Sequence, residues 1–181
     1  MKPIIKWAGG KQKLLSQIVP HLPEKYDWYH EPFFGGGALF WALEPKKAVI
    51  SDTNWELINF YRQVRNDLPL FLKEVDKFEF ISEHLFYELR DWDRVMSYNR
   101  RADLKKASRF LFLNKTCFNG LYRVNKQGQF NTPFGKYKNP KIYDLQLIKN
   151  AFHILNKPNQ ISIQCNSFEA TLKSATEGDF V

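Results

Sequence analysis

The chain has 181 residues, 44% of them hydrophobic and 16% aromatic, which is enough for a folded core and too apolar for a disordered chain. No apolar run reaches the length of a membrane span, and "MKPIIKWAGGK" has no signal-peptide core. Two cysteines and four scattered histidines give neither a disulfide framework nor a metal motif, so no metal and no membrane are expected, and the cytoplasm is the expected compartment. The net charge of +8 favours an acidic partner.

In chain order, "KQKLLSQIV" (11–19) places Leu14, Leu15, Ile18 and Val19 on one face of a predicted helix that Pro20 stops. "YHEPFF" reads as a short strand running into Gly35–Gly37, and "GALFWAL" as a buried helix. "KKAVISD" is a second strand, with Asp52 or Asn54 capping a helix that carries Leu57, Ile58, Tyr61 and Val64. Strand, helix, strand, helix in this order predicts a parallel α/β sheet with crossover helices.

The pattern then changes. Residues 68–113 read as helical, and "SRFLFLNK" ends a helix expected to keep Lys105, Lys106 and Arg109 outside. "TCFNGLYRVNKQGQFNTPFGKYKNPK" is rich in turn pairs, with a hairpin over "LYRVNKQGQFN" turning at 126–128. Residues 144–155 are helical, "ISIQC" is a third strand, and "GDFV" opens a fourth. The expected organisation is a sheet domain from 1–55 plus 146–181, interrupted by a helix-and-loop insertion over 56–145. From Arg94 to Lys149 thirteen basic residues face two acids, Asp103 and Asp144. Such segregation suits a nucleic-acid surface.

The three glycines need a ligand or a turn to justify them. A dinucleotide fingerprint fails because Phe40 stands at its third glycine, which disfavours a nucleotide-binding oxidoreductase. A P-loop fails because Ile5 and Gln12 stand where glycine and Ser or Thr are required. A glycine turn at the carboxyl end of a parallel strand remains, and ligands bind there in open α/β sheets. Asp52 closes the next strand, well placed for a ribose diol. This describes a site for a nucleoside-bearing cofactor without a pyrophosphate, such as S-adenosylmethionine. The competing reading is a plain turn and a helix cap.

With "KWAGGK" (6–11), "EPFFGGG" (31–37), "SDTN" (51–54) and "NGLYRVNKQGQFNTPFGKYKNP" (119–140), the whole chain resembles the Dam-type DNA adenine-N6 methyltransferases. The resemblance implies a Rossmann-like parallel-sheet methyltransferase fold, incomplete in this chain, with an inserted, mostly helical DNA-recognition domain that contains a hairpin. It implies S-adenosylmethionine as methyl donor, with Trp7 and Lys11 contacting it. The turn from Glu31 through Phe33, Gly35 and Gly37 would wrap its methionine part, Asp52 would hold the ribose hydroxyls, and Phe168 would pack on the adenine. Ser167 stands where the family often has an acid, and is a weaker acceptor.

The same resemblance implies that double-stranded DNA is the partner. Arg123 would read a guanine edge from the hairpin, and Leu121 and Pro133 would touch bases. Phe118 and Asn119 would enter the helix beside the flipped adenine, and Lys138 would hold phosphate. Methylating adenine N6 requires base extrusion and acceptors for the amine. The family supplies these acceptors from Asp-Pro-Pro-Tyr at the end of its fourth strand. That motif does not occur in residues 1–181, so no catalytic residue is named. The chain is expected to be an N-terminal portion inactive alone, with a C-terminal half as its complement. The alternatives are a non-catalytic DNA-binding remnant or half of a split methyltransferase. Restriction–modification is the expected setting, and GATC the expected target.

Overall fold

The computed structural model describes residues 1–78, 80–156 and 160–181. Glu79, inside the stretch read as helical, and residues 157–159, ahead of the third strand, lie outside the described residues. Three short strands form one sheet: β1 (Tyr29–Glu31), β2 (Ala48–Ser51) and β3 (Ile161–Gln164), in the order β1-β2-β3. Both pairings are parallel, with His30 opposite Val49 and Ile50 opposite Ile163. All four β2 residues are buried. A central strand covered on both faces reads as a continuous apolar run, as "AVI" does.

"GDFV" lies beside β1. Phe180 bridges Tyr29 in parallel, and the backbone bonds run from His30 N to the Phe180 carbonyl and from Phe180 N to that of Trp28. Asp179 secures this join. Its carboxylate accepts the Trp28 and Thr176 amides at 3.0 and 2.9 Å and pairs with His30 Nε2 at 3.1 Å.

The helices are α1 (Leu15–Ile18), α2 (Ala38–Leu43), α3 (Trp55–Asn66), α4 (Leu68–Val75), α5 (Glu83–Asp91), α6 (Asp103–Thr116), α7 (Leu145–Leu155) and α8 (Phe168–Leu172). Asn54, not Asp52, caps α3, accepting the Leu57 amide at 3.2 Å. Asp67, Ser82 and Asp144 cap α4, α5 and α7 in the same way, and such caps contribute about 1 kcal/mol each.

Two expectations need correction. Residues 11–21 form a 3-10 turn, the four-residue α1 and a second 3-10 turn, not one helix. Pro20 sits inside the last turn, and Leu14 and Val19 are exposed. Only Leu15 and Ile18 are half-buried beside α2, so a partly covered apolar face does little to consolidate a longer helix. Lys106 and Arg109 are inside, not outside. Helix α6 is buried nearly all round, with Ala107, Phe110 and Leu111 in the main core against α3 and α4. Phe112 and Leu113 lie in a second cluster with Phe86, Leu89, Cys117 and Phe130. A helix enclosed on every side must bury its polar positions too, and these persist only with partners.

Arg109 has those partners. It donates to the Leu89 and Arg90 carbonyls and to Asp93 Oδ2, at 2.7, 2.9 and 2.7 Å, and lies 3.9 Å from Glu56. Burial alone would lower its pKa, but Tyr98, Asp93 and Glu56 raise it above the ordinary value. Asp93 Oδ2 also accepts the Phe130 amide at 2.8 Å, and Arg94 donates to the Phe130 carbonyl at 3.0 Å. The buried ion cluster therefore grips one strand of the loop region that follows α6.

That region contains the expected hairpin. Val124 bridges Phe130 in antiparallel fashion, Asn131 N donates to the Arg123 carbonyl, and Gly128 takes a φ of 77° at the turn. Just before it, Cys117 bridges Phe134, and Phe118 N donates to the Pro133 carbonyl at 2.9 Å.

Candidate cofactor cleft and nucleic-acid surface

The carboxyl ends of β1 and β2 open into a cleft of about 800 Å³, lined by residues 7–11, 29–39, Asp52 and Phe180 among others. Gly35 and Gly37 have φ of 49° and 65°, which L side chains rarely adopt. A Cβ on Gly35 would come within 2.6 Å of the Trp7 ring, and one on Gly37 within 2.5 Å of Phe34. The turn is therefore glycine both for its backbone and for the aromatics packed against it. Three polar groups fix it from behind. Asp52 Oδ2 accepts the Gly35 amide at 3.0 Å, Tyr61 donates its hydroxyl to the Gly35 carbonyl at 3.1 Å, and Trp41 Nε1 donates to the Gly36 carbonyl at 3.0 Å.

Asp52 Oδ1 accepts the Asn54 amide at 2.9 Å. Both carboxylate oxygens are oriented by backbone, and each keeps a lone pair for a ligand. Glu31 accepts the Tyr29 hydroxyl at 2.7 Å, and burial pushes its pKa up to about 7 against the pull of that bond. Lys11 Nζ rests on the Gly9 carbonyl at 3.0 Å.

Of the sequence-predicted cofactor residues, Trp7, Lys11, Glu31, Phe33, Gly35, Gly37 and Asp52 all line this cleft. Phe168 does not line it, but stacks on the 73%-exposed Phe33 with ring centroids 5.4 Å apart. The Ser167 hydroxyl is occupied as the cap of α8, accepting the Ala170 amide.

The residues expected to meet DNA lie on and beside the hairpin. Phe118 is 51% exposed, and Asn119 next to it has a φ of 54°. The Asn119 amide donates to the Tyr137 hydroxyl at 2.9 Å. Pro133, whose carbonyl holds the Phe118 amide, is exposed. Leu121 is half-buried, and its carbonyl accepts Thr132 Oγ1 at 2.8 Å. Arg123 is exposed, with Nε donated to Asn131 Oδ1 at 3.2 Å, and Lys138 is exposed. Of the thirteen basic residues, Lys106 and Arg109 are buried. Arg94 is engaged with Asp93, and Lys115 donates to the Ile4 carbonyl, so these four are committed inside. Arg101 is half-buried over the Trp92 ring, and the other eight, Arg100, Lys105, Arg123, Lys126, Lys136, Lys138, Lys141 and Lys149, remain exposed.

Several residues that shape the cleft escaped the sequence reading. Tyr61 and Trp41 hold the glycine turn, and His30, buried in its pair with Asp179, lines the cleft. Tyr122 stacks on Trp7 with centroids 5.5 Å apart. The one available signal was chemical: a buried Tyr or Trp needs an acceptor for its polar hydrogen.

The family model for D12 class N6 adenine-specific DNA methyltransferases matches residues 7–181. The chain belongs to this family. It is 43% identical over its full length to the type II methyltransferase M1.LlaDCHI of Lactococcus lactis subsp. cremoris, covering 64% of that relative. It is 44% identical over 93% of its length to the type II methyltransferase M.MjaIII of Methanocaldococcus jannaschii, covering 63% of it. The DNA adenine methylase of Serratia marcescens is 33% identical over 99% of the chain, which covers 64% of that protein. The chain thus spans a little under two thirds of the length of these relatives. Its parallel α/β sheet agrees with an incomplete Rossmann-like methyltransferase fold. Among the described residues, no helix is long and apolar enough to cross a membrane, and no cluster of His, Cys, Asp and Glu is arranged to hold a metal ion.

Proposed function

We propose that this chain binds S-adenosylmethionine in the cleft and duplex DNA on the hairpin side, and serves site-specific methylation of adenine N6 at GATC. The observation that carries the reading is the Asp52–Gly35 bond. It sets an oriented carboxylate and a glycine turn in one cleft at the carboxyl ends of adjacent parallel strands, where α/β sheets bind their ligands.

The donor set suits this cofactor. Asp52 can accept both hydroxyls of a ribose diol. Glu31, ionised, opposes a cation such as an ammonium or sulfonium, and Lys11 opposes a carboxylate. Trp7 supplies an apolar wall, and the Phe33–Phe168 pair an aromatic surface for a purine. The cleft's volume is in the range of small-molecule sites. When bound, the cofactor supplies an electrophilic methyl group.

The chain's own part is to bind and orient that donor and to position the duplex. Arg123 reaches a guanine edge, Leu121 and Pro133 meet bases through apolar contact, and Lys138 and its basic neighbours hold phosphates. Phe118, exposed beside Asn119, fills the stack from which the adenine is extruded. The segment 56–145 is the DNA-reading part of the molecule in this proposal.

Calorimetry with S-adenosylmethionine and fluorescence anisotropy with labelled duplexes test it. Saturable donor binding that is lost in Asp52→Ala, and tighter binding of GATC than of scrambled DNA, support it. Donor binding unchanged in Asp52→Ala would remove the cofactor assignment. Any methyl transferred should be recovered as N6-methyladenine, and recovery on cytosine would overturn the adenine assignment.

A further inference from the structure

Tyr122 stands between the two proposed sites and touches the machinery of both. On the cleft side its ring stacks on Trp7, 5.5 Å between centroids and 23° between planes. Trp7 lines the cleft and lies so close to the glycine turn that a Cβ on Gly35 or Gly36 would crowd it. The Tyr122 ring also packs on Phe110 of α6, 5.7 Å between centroids, and Phe110 lies 6.3 Å from the Trp7 ring. On the other side Tyr122 precedes Arg123 in the hairpin and packs on Phe130 across it, 5.6 Å between centroids. Phe130 is pinned by Asp93 and Arg94, and Asn131 holds both the Arg123 carbonyl and its Nε. A single half-buried ring thus bears on the Trp7 wall of the cleft and on the base of the hairpin.

We propose that Tyr122 is a positioning residue that couples occupancy of the cleft to the setting of the 121–131 hairpin, so that the methyl donor and duplex DNA each tighten the binding of the other. The inference rests on the proposed function and adds to it a path between its two sites. A ligand seated against Trp7, Gly35 and Asp52 restrains the tryptophan on which Tyr122 leans. A restrained Tyr122 lowers the freedom of Arg123 and Phe130 before the duplex arrives, so less ordering remains to be done on binding. By linkage the duplex must return the same factor to the donor. The coupling acts on binding and needs no chemical step.

The test measures the affinity of a GATC duplex by anisotropy with and without saturating S-adenosylmethionine, and the affinity of the donor by calorimetry with and without duplex. In the wild type the two ratios should agree and lie at roughly 5-fold or more. In Tyr122→Leu, shown folded by circular dichroism and still binding donor and duplex, both ratios should fall towards one. Hydrogen exchange on the unaltered protein gives a second readout: donor alone should slow exchange of the Phe130 and Asn131 amides. A wild-type ratio of one with both ligands binding, an undiminished ratio in Tyr122→Leu, or hairpin exchange indifferent to donor would each overturn the coupling and leave the proposed function standing. Failure of the wild type to bind donor or duplex would overturn that function and this inference together.

Discussion

Asp52 Oδ2 accepts the Gly35 amide at 3.0 Å, so the carboxylate that ends one strand sets the turn that ends its neighbour. The bond spans seventeen positions of sequence, and it joins the two motifs whose spacing first suggested a ribose-binding acid. Asp52 therefore has two tasks, and substitution separates them. Asp52→Ala leaves the Gly35 and Asn54 amides without their acceptor, a loss of about 1–3 kcal/mol in urea unfolding. Asp52→Asn keeps one carbonyl oxygen and should lose less stability. Both should weaken S-adenosylmethionine binding by roughly 10- to 100-fold, the scale of a lost charged hydrogen bond. Asp52→Asn with wild-type donor affinity would reduce Asp52 to a turn residue.

Glu31 gives the cleft a pH dependence. Burial raises its pKa from the ordinary carboxylate value to about 7, so the folded chain holds this proton more tightly than the unfolded chain. The group's contribution to stability is fully present below the unfolded pKa and is lost as pH rises through about 7. Glu31→Gln should flatten that slope, and at pH 8 it should be more stable than the wild type by up to about 3 kcal/mol. A cationic ligand reverses the preference, because it favours the ionised carboxylate. Donor affinity in the wild type should therefore rise between pH 6 and 8, with proton release visible as a buffer-dependent binding enthalpy. A Glu31→Gln variant with the same slope would assign the pH dependence elsewhere.

Basic residues on this chain divide by burial, and salt distinguishes the two groups. Arg109 is 2% exposed and bonded to Asp93. Arg109→Leu leaves the Glu56 carboxylate without its ion-pair partner and Asp93 with Arg94 alone, and should cost about 3–5 kcal/mol in urea unfolding. It should leave the salt dependence of duplex binding unchanged under conditions where the variant is folded. Lys138→Ala should do the opposite, leaving stability within about 0.5 kcal/mol and lowering the slope of log K against log salt by about one. A reduced slope in Arg109→Leu would bring Arg109 back to the surface in function.

Strands β2 and β3 were legible because "AVI" and "ISI" are short apolar runs, and β1 because "YHE" runs into the glycine turn. The cleft's main residues were legible as motifs, since glycine, acid and aromatic at fixed spacing remain visible in one dimension. What could not be read was burial of charge. Lys106 and Arg109 fall where a half-exposed helix would carry its solvent face, and nothing local says that α6 is covered on both sides. The carboxylates that satisfy Arg109 come from Asp93, sixteen positions earlier, and from Glu56 on α3. The segment 11–21 failed for the converse reason: its periodicity was real, but α2 covers only part of that face and Leu14 and Val19 stay exposed. Tyr122 was quoted within a motif and given no role, because its ring contacts with Trp7, Phe110 and Phe130 exist only after folding.

Arg123 gives the sharpest test of base reading. Its side chain is exposed, and Nε is held by Asn131 Oδ1 at 3.2 Å, which leaves the terminal nitrogens of the fork free to meet N7 and O6 of a guanine. Asn131 is anchored in turn by its amide on the Arg123 carbonyl across the hairpin, so the fork is aimed by backbone. Arg123→Ala should cost about 1–3 kcal/mol on a GATC duplex and almost nothing on a duplex with that guanine replaced. Arg123→Lys should recover the charge and little of the discrimination, because an ammonium has no planar fork. Asn131→Ala should fall between them, since it frees the guanidinium without removing it. The measurement is a set of anisotropy titrations at one salt concentration against GATC and singly substituted duplexes. Equal losses on every duplex would show Arg123 to be a phosphate contact, and the reader of the base would have to be sought elsewhere on the hairpin.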